Sequence, residues 1–160
     1  MKKIRGILVL LPLLLLTACT SVQDDLTTYV DDTLPPLFKT ESEVINKYDS
    51  VIGNNYVNDS VLYTTLIGEV IPEYNDFIDD LEHVEIETDE VQKVHDHFIK
   101  AAKTQEKGFE ILKTAIEKQD SAEVEKANQK INEARTIVDT YRKELEKLAD
   151  EEKVDLTSVQ

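Results

Sequence analysis

The chain has a single cysteine, Cys19, which leaves it without an intrachain disulfide. Positive charge is scarce. Eighteen Lys and Arg stand against 33 Asp and Glu, for a formal charge of −15 at pH 7. That balance excludes nucleic-acid binding through the phosphate backbone, which needs a basic face, and it opposes contact with anionic lipid headgroups. Strand signals are absent at any useful length. Val84-Glu85-Ile86-Glu87 alternates but is too short to stand alone. No Gly-rich phosphate loop, no Ser nucleophile elbow and no Asp-x-Asp-x-Asp-Gly calcium loop occurs. These gaps turn the reading away from an enzyme.

What is present starts at the N-terminus. Lys2, Lys3 and Arg5 precede Ile7 to Leu16, a run without charge, and Leu16-Thr17-Ala18-Cys19 follows it. A basic start, a short apolar middle and small residues before a cut form the layout of an export signal. The apolar run is about half the length a bilayer crossing needs, so it reads as a cleaved signal and not a permanent span. Leu16-Thr17-Ala18-Cys19 resembles the lipobox of bacterial lipoproteins. The resemblance implies that the Cys19 thiol carries diacylglycerol, that residues 1–18 are removed, and that Cys19 becomes the N-terminus. Losing Lys2, Lys3 and Arg5 takes the charge from −15 to −18. The acyl chains then hold the protein without electrostatic help, each buried methylene contributing about 0.8 kcal/mol.

The expected organisation is a signal peptide over 1–18, a lipidated N-terminus and short tether over 19–22, a helical bundle domain over 23–150 and a charged, fraying tail over 151–160. Apolar residues make up 41% of the chain and recur at helical spacing, which argues against acidic disorder. Val22, Leu26, Tyr29 and Val30 share a face, and the stripe resumes at Phe38 and runs to Ile52. Pro35-Pro36 is expected to bend or break this first helix, with Pro36 starting its second part. Gly53-Asn54-Asn55 ends it. Asn58 caps a second helix bearing Leu62, Leu66, Val70, Tyr74, Phe77 and Leu81, kinked at Pro72. Thr88 is the expected cap of a third, about thirty residues long, weakened only by Gly108. Asp120, with Glu123 three residues on, starts the fourth. The fold class is therefore all-α, an antiparallel bundle of about four long helices. The alternative is an elongated helical hairpin that completes its core against a partner.

Candidate chemical groups are few. His83 lies nearly opposite the apolar face of its helix and pairs with Asp80 only in solvent. His95 and His97, two apart on a helix, diverge by about 200°. No metal ligand set and no cofactor is expected. His95 falls inside the Val91-Phe98-Ala102 stripe, which suits a partly buried histidine bonded to a tyrosine; the sharper reading is a pH-sensitive contact. Tyr56 and Tyr63 lie near the Gly53–Ser60 loop, outside any clear stripe. They are candidates, with His95, for recognition, the alternative being that they pack under the loop.

Three further stretches, Tyr48-Asp49-Ser50-Val51-Ile52-Gly53, Glu87 to His95 and Ala115 to Asp120, resemble small helical lipoproteins of Gram-positive, Bacillus-type bacteria. That resemblance implies an extracytoplasmic helical domain and carries over no catalytic residue. The resulting expectation is a lipid-anchored module on the outer face of the cell membrane, without catalytic residues, that binds a protein or an envelope component. The alternative is an immunity or inhibitor lipoprotein directed against a toxin or phage.

Overall fold

A computed structural model describes residues 20–159. The lipobox-like stretch with Cys19 lies outside the described residues. Among those described, the chain is all α, in about four long rods and no strand. The first rod joins α1 (Val22–Thr28) to α2 (Leu34–Asp49) through Tyr29–Thr33, and the second joins α3 (Asp59–Thr65) to α4 (Ile71–Glu82) through Leu66–Val70. The third is α5 (Asp89–Lys118) and the fourth α6 (Ser121–Glu152).

The expected break at Pro35-Pro36 does not occur. The chain stays helical, and Tyr29–Thr33 forms one wider π turn in which the Leu34 N–H bonds to the Tyr29 carbonyl, five residues back. Pro35 and Pro36 then fall in the first turn of α2, where their missing donors cost nothing. A proline ring clashes with the carbonyl four residues before it. The added residue moves those carbonyls off the α register. Pro72 is accommodated in the same way: Leu66–Val70 is a π turn closed by the Ile71 N–H on the Leu66 carbonyl, and Pro72 sits in the first turn of α4.

Local side-chain caps start three of the four rods. The Ser21 side chain accepts from Asp24 N–H, Asn58 from Val61 N–H, and Asp120 from Ala122 and Glu123 N–H. Glu123 does not reach back to complete a capping box; it pairs with Lys126. Thr88 departs from expectation. It makes no side-chain bond to its own helix. Its hydroxyl and its N–H instead donate to Asp25 Oδ2 at 2.5 and 2.9 Å, and Glu87 N–H donates to Asp25 Oδ1 at 3.4 Å. Asp25, only 7% exposed, therefore clamps the α4–α5 connection from α1.

The core is a line of rings passed from helix to helix. Tyr48 (α2) lies 4.8 Å from Phe109 (α5), which meets Tyr74 (α4) edge-on at 5.3 Å. Tyr74 contacts Phe77 at 5.4 Å, Phe77 contacts Phe98 (α5) at 5.8 Å, and Phe98 stacks on Tyr141 (α6) at 4.9 Å. Each such pair adds about 0.5–1.5 kcal/mol beyond the area it buries. The largest interface joins α5 and α6. The chain turns between them at Gln119, in the left-handed region with φ 53°. Gly108, buried in α5, marks their closest approach: a Cβ there would lie 2.6 Å from Ile131 Cγ1 and 3.4 Å from the Ala127 carbonyl oxygen.

At one end of the rods, the Thr20 hydroxyl bonds Glu87 and the Gln23 amide donates to the Glu152 carbonyl at 2.9 Å. Residues 151–159 do not fray as a tail. α6 continues to Glu152, Lys153 turns in the left-handed region, and Val154 N–H bonds back to the Ala149 carbonyl. Val154, Leu156 and Val159 then pack, partly buried, on the core.

Asp25→Ala is expected to lose about 1–3 kcal/mol of stability in urea unfolding, because three donors lose their acceptor in a part-buried site. Gly108→Ala gains about 1 kcal/mol of helix propensity but overpacks, so a net loss of about 1 kcal/mol is expected. In an Ile131→Ala background, which removes the obstructing Cγ1, the same change becomes neutral or stabilising; equal costs in both backgrounds would locate the clash elsewhere.

Candidate functional site

His95 is 1% exposed and both its ring nitrogens are engaged. Nε2 lies 2.8 Å from the Leu81 carbonyl oxygen and Nδ1 lies 2.9 Å from the Tyr29 hydroxyl. A carbonyl only accepts, so Nε2 carries the proton and Nδ1 is left as an acceptor. The Tyr29 O–H must then donate to Nδ1. Its oxygen is free to accept the Tyr141 O–H, 3.3 Å away. The chain therefore has one direction: Tyr141 to Tyr29 to His95 to the end of α4. Burial pushes the His95 imidazolium below its ordinary value of 6.5, against a smaller opposing effect of the Leu81 bond. Burial also pushes both phenols far above the usual tyrosine range. All three groups are held neutral.

The ring of Tyr141 forms the floor of a cleft of about 440 Å³. Phe38 of α2 and Phe98 of α5 line it with Val138, Arg142, Leu145 and Glu146 of α6, and the returning segment supplies Leu156 and Val159. Phe38 approaches Phe98 at 5.6 Å, so three rings pave one side. Arg142 and Glu146 are exposed, at the rim. Behind the rim, Glu41 accepts a long 3.4 Å bond from the Tyr74 hydroxyl. Burial raises the Glu41 carboxyl above its usual range, with the Tyr74 bond and the Arg142 charge opposing.

The recognition candidates are placed apart. Tyr56 is 48% exposed beside Val57, and its hydroxyl donates to Asp59 Oδ1 at 2.8 Å. It lines a second hollow of about 480 Å³ at the α2–α3 connection, together with Tyr48, Ile52 and Leu112. Tyr63 is half-buried and donates to Glu117 Oε1 of α5 at 2.7 Å, outside the walls of that hollow. His95 is in the core and offers no atom to a partner at the surface. It has the tyrosine partner that its place in the stripe suggested. Cys19 lies outside the described residues. His83 is exposed, and its Nδ1 lies 2.6 Å from the Asp79 carbonyl oxygen. Among the described residues no three His, Cys, Asp or Glu side chains converge on a metal-sized site, and no helix is long and apolar enough to cross a membrane.

Arg142, Phe38 and the residues after Lys153 were not singled out by sequence reasoning. The available signal was Val154, Leu156 and Val159, three apolar residues in a segment otherwise taken as charged tail. No family profile, no curated protein and no solved structure matches this chain.

The lowered His95 value has a definite sign. Below about pH 6.5 the unfolded chain takes up a proton that the folded chain refuses, so stability falls as pH drops from 6.5 toward the folded value, by at most about 1.4 kcal/mol per pH unit. Glu41 contributes in the opposite sense at more acidic pH, because its folded value is raised. The readout is therefore the difference between wild type and His95→Gln in urea unfolding at pH 7.5 and 5.5: wild type should lose more stability than the variant. Parallel losses would assign the slope to other groups.

Proposed function

We propose that this chain is a lipid-anchored, extracytoplasmic binding module, an antiparallel bundle held to the outer membrane face through Cys19, and not a catalyst. One observation carries the reading: the folded body starts three residues after the cysteine of Leu16-Thr17-Ala18-Cys19, with Ser21 already capping α1 and Thr20 already bonded to Glu87. An anchor at residue 19 therefore fixes which end of the bundle faces the lipid. That end carries the α4–α5 connection, the end of α6 and the Asp25 clamp. The opposite end, with the α2–α3 loop and its exposed Tyr56 and Val57, stands about 45 Å away, the length of the 30-residue α5.

The binding role follows from the state of the polar groups. Catalysis needs an acid, base or nucleophile free to exchange a proton. Beneath the cleft, the His95 imidazole is occupied by Tyr29, and the two phenols are held neutral by burial. An open cleft with aromatic walls, next to groups of that kind, suits holding a partner without transforming it. The partner expected is a protein or an envelope component.

Intact-mass analysis of the chain isolated from a Gram-positive host tests the anchor. The expected product begins at residue 19 and carries a diacylglycerol adduct in the membrane fraction. Cys19→Ala should leave the membrane-bound product unformed, with melting temperature unchanged for any chain that is exported and cut. A bare thiol at residue 19 in a freely soluble chain overturns the proposal.

A further inference from the structure

We infer that the cleft over Tyr141 binds a small organic acid, an apolar and preferably aromatic body carrying one carboxylate, with Arg142 as the group that recognises the charge. The inference rests on the binding-module reading and names the ligand class for it. The cleft volume of about 440 Å³ lies within the range of small-molecule pockets. Its floor is built of rings already in ordered contact, Phe98 stacked on Tyr141 at an interplanar angle of 22° and Phe38 leaning on Phe98. Phe98 and Tyr141 are each 2% exposed, so a flat apolar body placed there lies against the half-exposed Phe38 ring and the aliphatic walls, over that buried stack.

The charge requirement comes from Arg142. Seven lysines of the described chain hold carboxylates within 4.0 Å; Arg142, like Arg135 and six other lysines, is in none of these ion pairs, but it alone of these stands on the rim of the cleft. Glu146, four residues further along α6 and on the same rim, does not pair with it either, although that spacing favours pairing. The Arg142 charge reaches Glu41 and Tyr141 only at longer range. Glu41 is itself half-buried and bonded by Tyr74. At the mouth of an apolar cleft, a guanidinium with no carboxylate within 4.0 Å has its fork free for the carboxylate of a ligand. Its planar fork matches a carboxylate bidentately, as a lysine would not.

The rim also selects among ligands. Glu146 and Glu41 would attract an amine, so the preference for the acid rests on the two parallel bonds that the Arg142 fork makes to a carboxylate, and not on the sum of the rim charges. An uncharged ligand of the same shape uses the rings alone. The cleft should therefore rank acid above both alcohol and amine for a common apolar body.

Calorimetric titration of the full chain with 4-phenylbutyrate, 4-phenylbutanol and 4-phenylbutylamine reads that ranking. The acid is expected to bind one to one and about tenfold tighter than the alcohol, the worth of one charge-assisted contact. Arg142→Gln should reduce the acid to the affinity of the alcohol while leaving the melting temperature close to wild type. Val138→Trp, which fills the cleft from its half-exposed wall, should remove binding of both. Absence of heat with all three compounds overturns the inference. So do equal affinities, a preference for the amine, a preference that survives Arg142→Gln, and binding that survives Val138→Trp. The titration reads residues 38–159 and gives the same answer whether Cys19 is acylated or not, so failure of the anchor and failure of the cleft are seen separately.

Discussion

The polar interior hangs on one bond, from His95 Nε2–H to the Leu81 carbonyl. Leu81 lies in the last turn of α4, where carbonyls run out of intrahelical partners, and the bond it accepts from Val84 N–H is a long 3.3 Å. The imidazole satisfies that carbonyl and is fixed by it. Once Nε2 is the donor, Nδ1 has one role left, and the direction of the two tyrosine hydroxyls follows without further choice. Four elements are thereby tied at one buried point: the first π turn through Tyr29, α4 through Leu81, α5 through His95 and α6 through Tyr141. No side-chain polar atom among the described buried residues is left unpartnered. An apolar replacement for His95 would leave the Leu81 carbonyl with only weak backbone bonds and would take the acceptor from the Tyr29 O–H.

The two π turns decide which residues share that core. In an uninterrupted α-helix Tyr29 and Phe38, nine residues apart, point in opposite directions, at about 100° per residue. One extra residue in the turn rotates everything beyond it by about that amount. Tyr29 and Phe38 then work on the same side, Tyr29 bonded to Tyr141 and Phe38 packed on the Phe98 ring that covers Tyr141. The prolines and the cleft are thus linked. Pro35 and Pro36 require the carbonyls before them to leave the α register, the π turn provides this, and the rotation brings Phe38 to the cleft wall. A clean break at the prolines would have satisfied the same steric demand but left α2 free to turn elsewhere.

Much of this was legible in the residues. The stripes on all four rods, the caps at Asn58 and Asp120, and a tyrosine partner for His95 follow from local chemistry and period. The π turns left a trace of their own. Val22, Leu26, Val30 and Leu34 step by four three times running, and so do Leu62, Leu66, Val70 and Tyr74. Each four-residue step overshoots a 3.6-residue turn by about 40°, so three in succession drift by about one residue unless the helix absorbs it. Attention to the prolines concealed that drift. Thr88 could not be read correctly from its neighbours, because its partner Asp25 is 63 residues away and a helix cap is expected to be local. Arg142 was equally hidden. Its significance lies in a pairing that its sequence neighbour Glu146 offers and the fold does not make.

The distribution of charge explains how an acidic chain keeps a site for an acid. The imidazole and the phenols of the core are neutral: burial lowers His95 and raises Tyr29, Tyr74 and Tyr141. The excess carboxylates are left to the surface, where ion pairs such as Lys47 with Glu73 are half-exposed and contribute little. At long range a net −15 repels any anion. At physiological ionic strength, however, charges more than about 8 Å apart are largely screened. Selection at the cleft is then decided by the few groups within that distance, Arg142 against Glu146 and Glu41. Of these, Glu41 is half-buried, and burial raises its carboxyl above the usual range. A carboxylate bound at the rim therefore depends on the two parallel bonds that the Arg142 fork can make and on the apolar walls beside it, and not on the bulk charge of the chain.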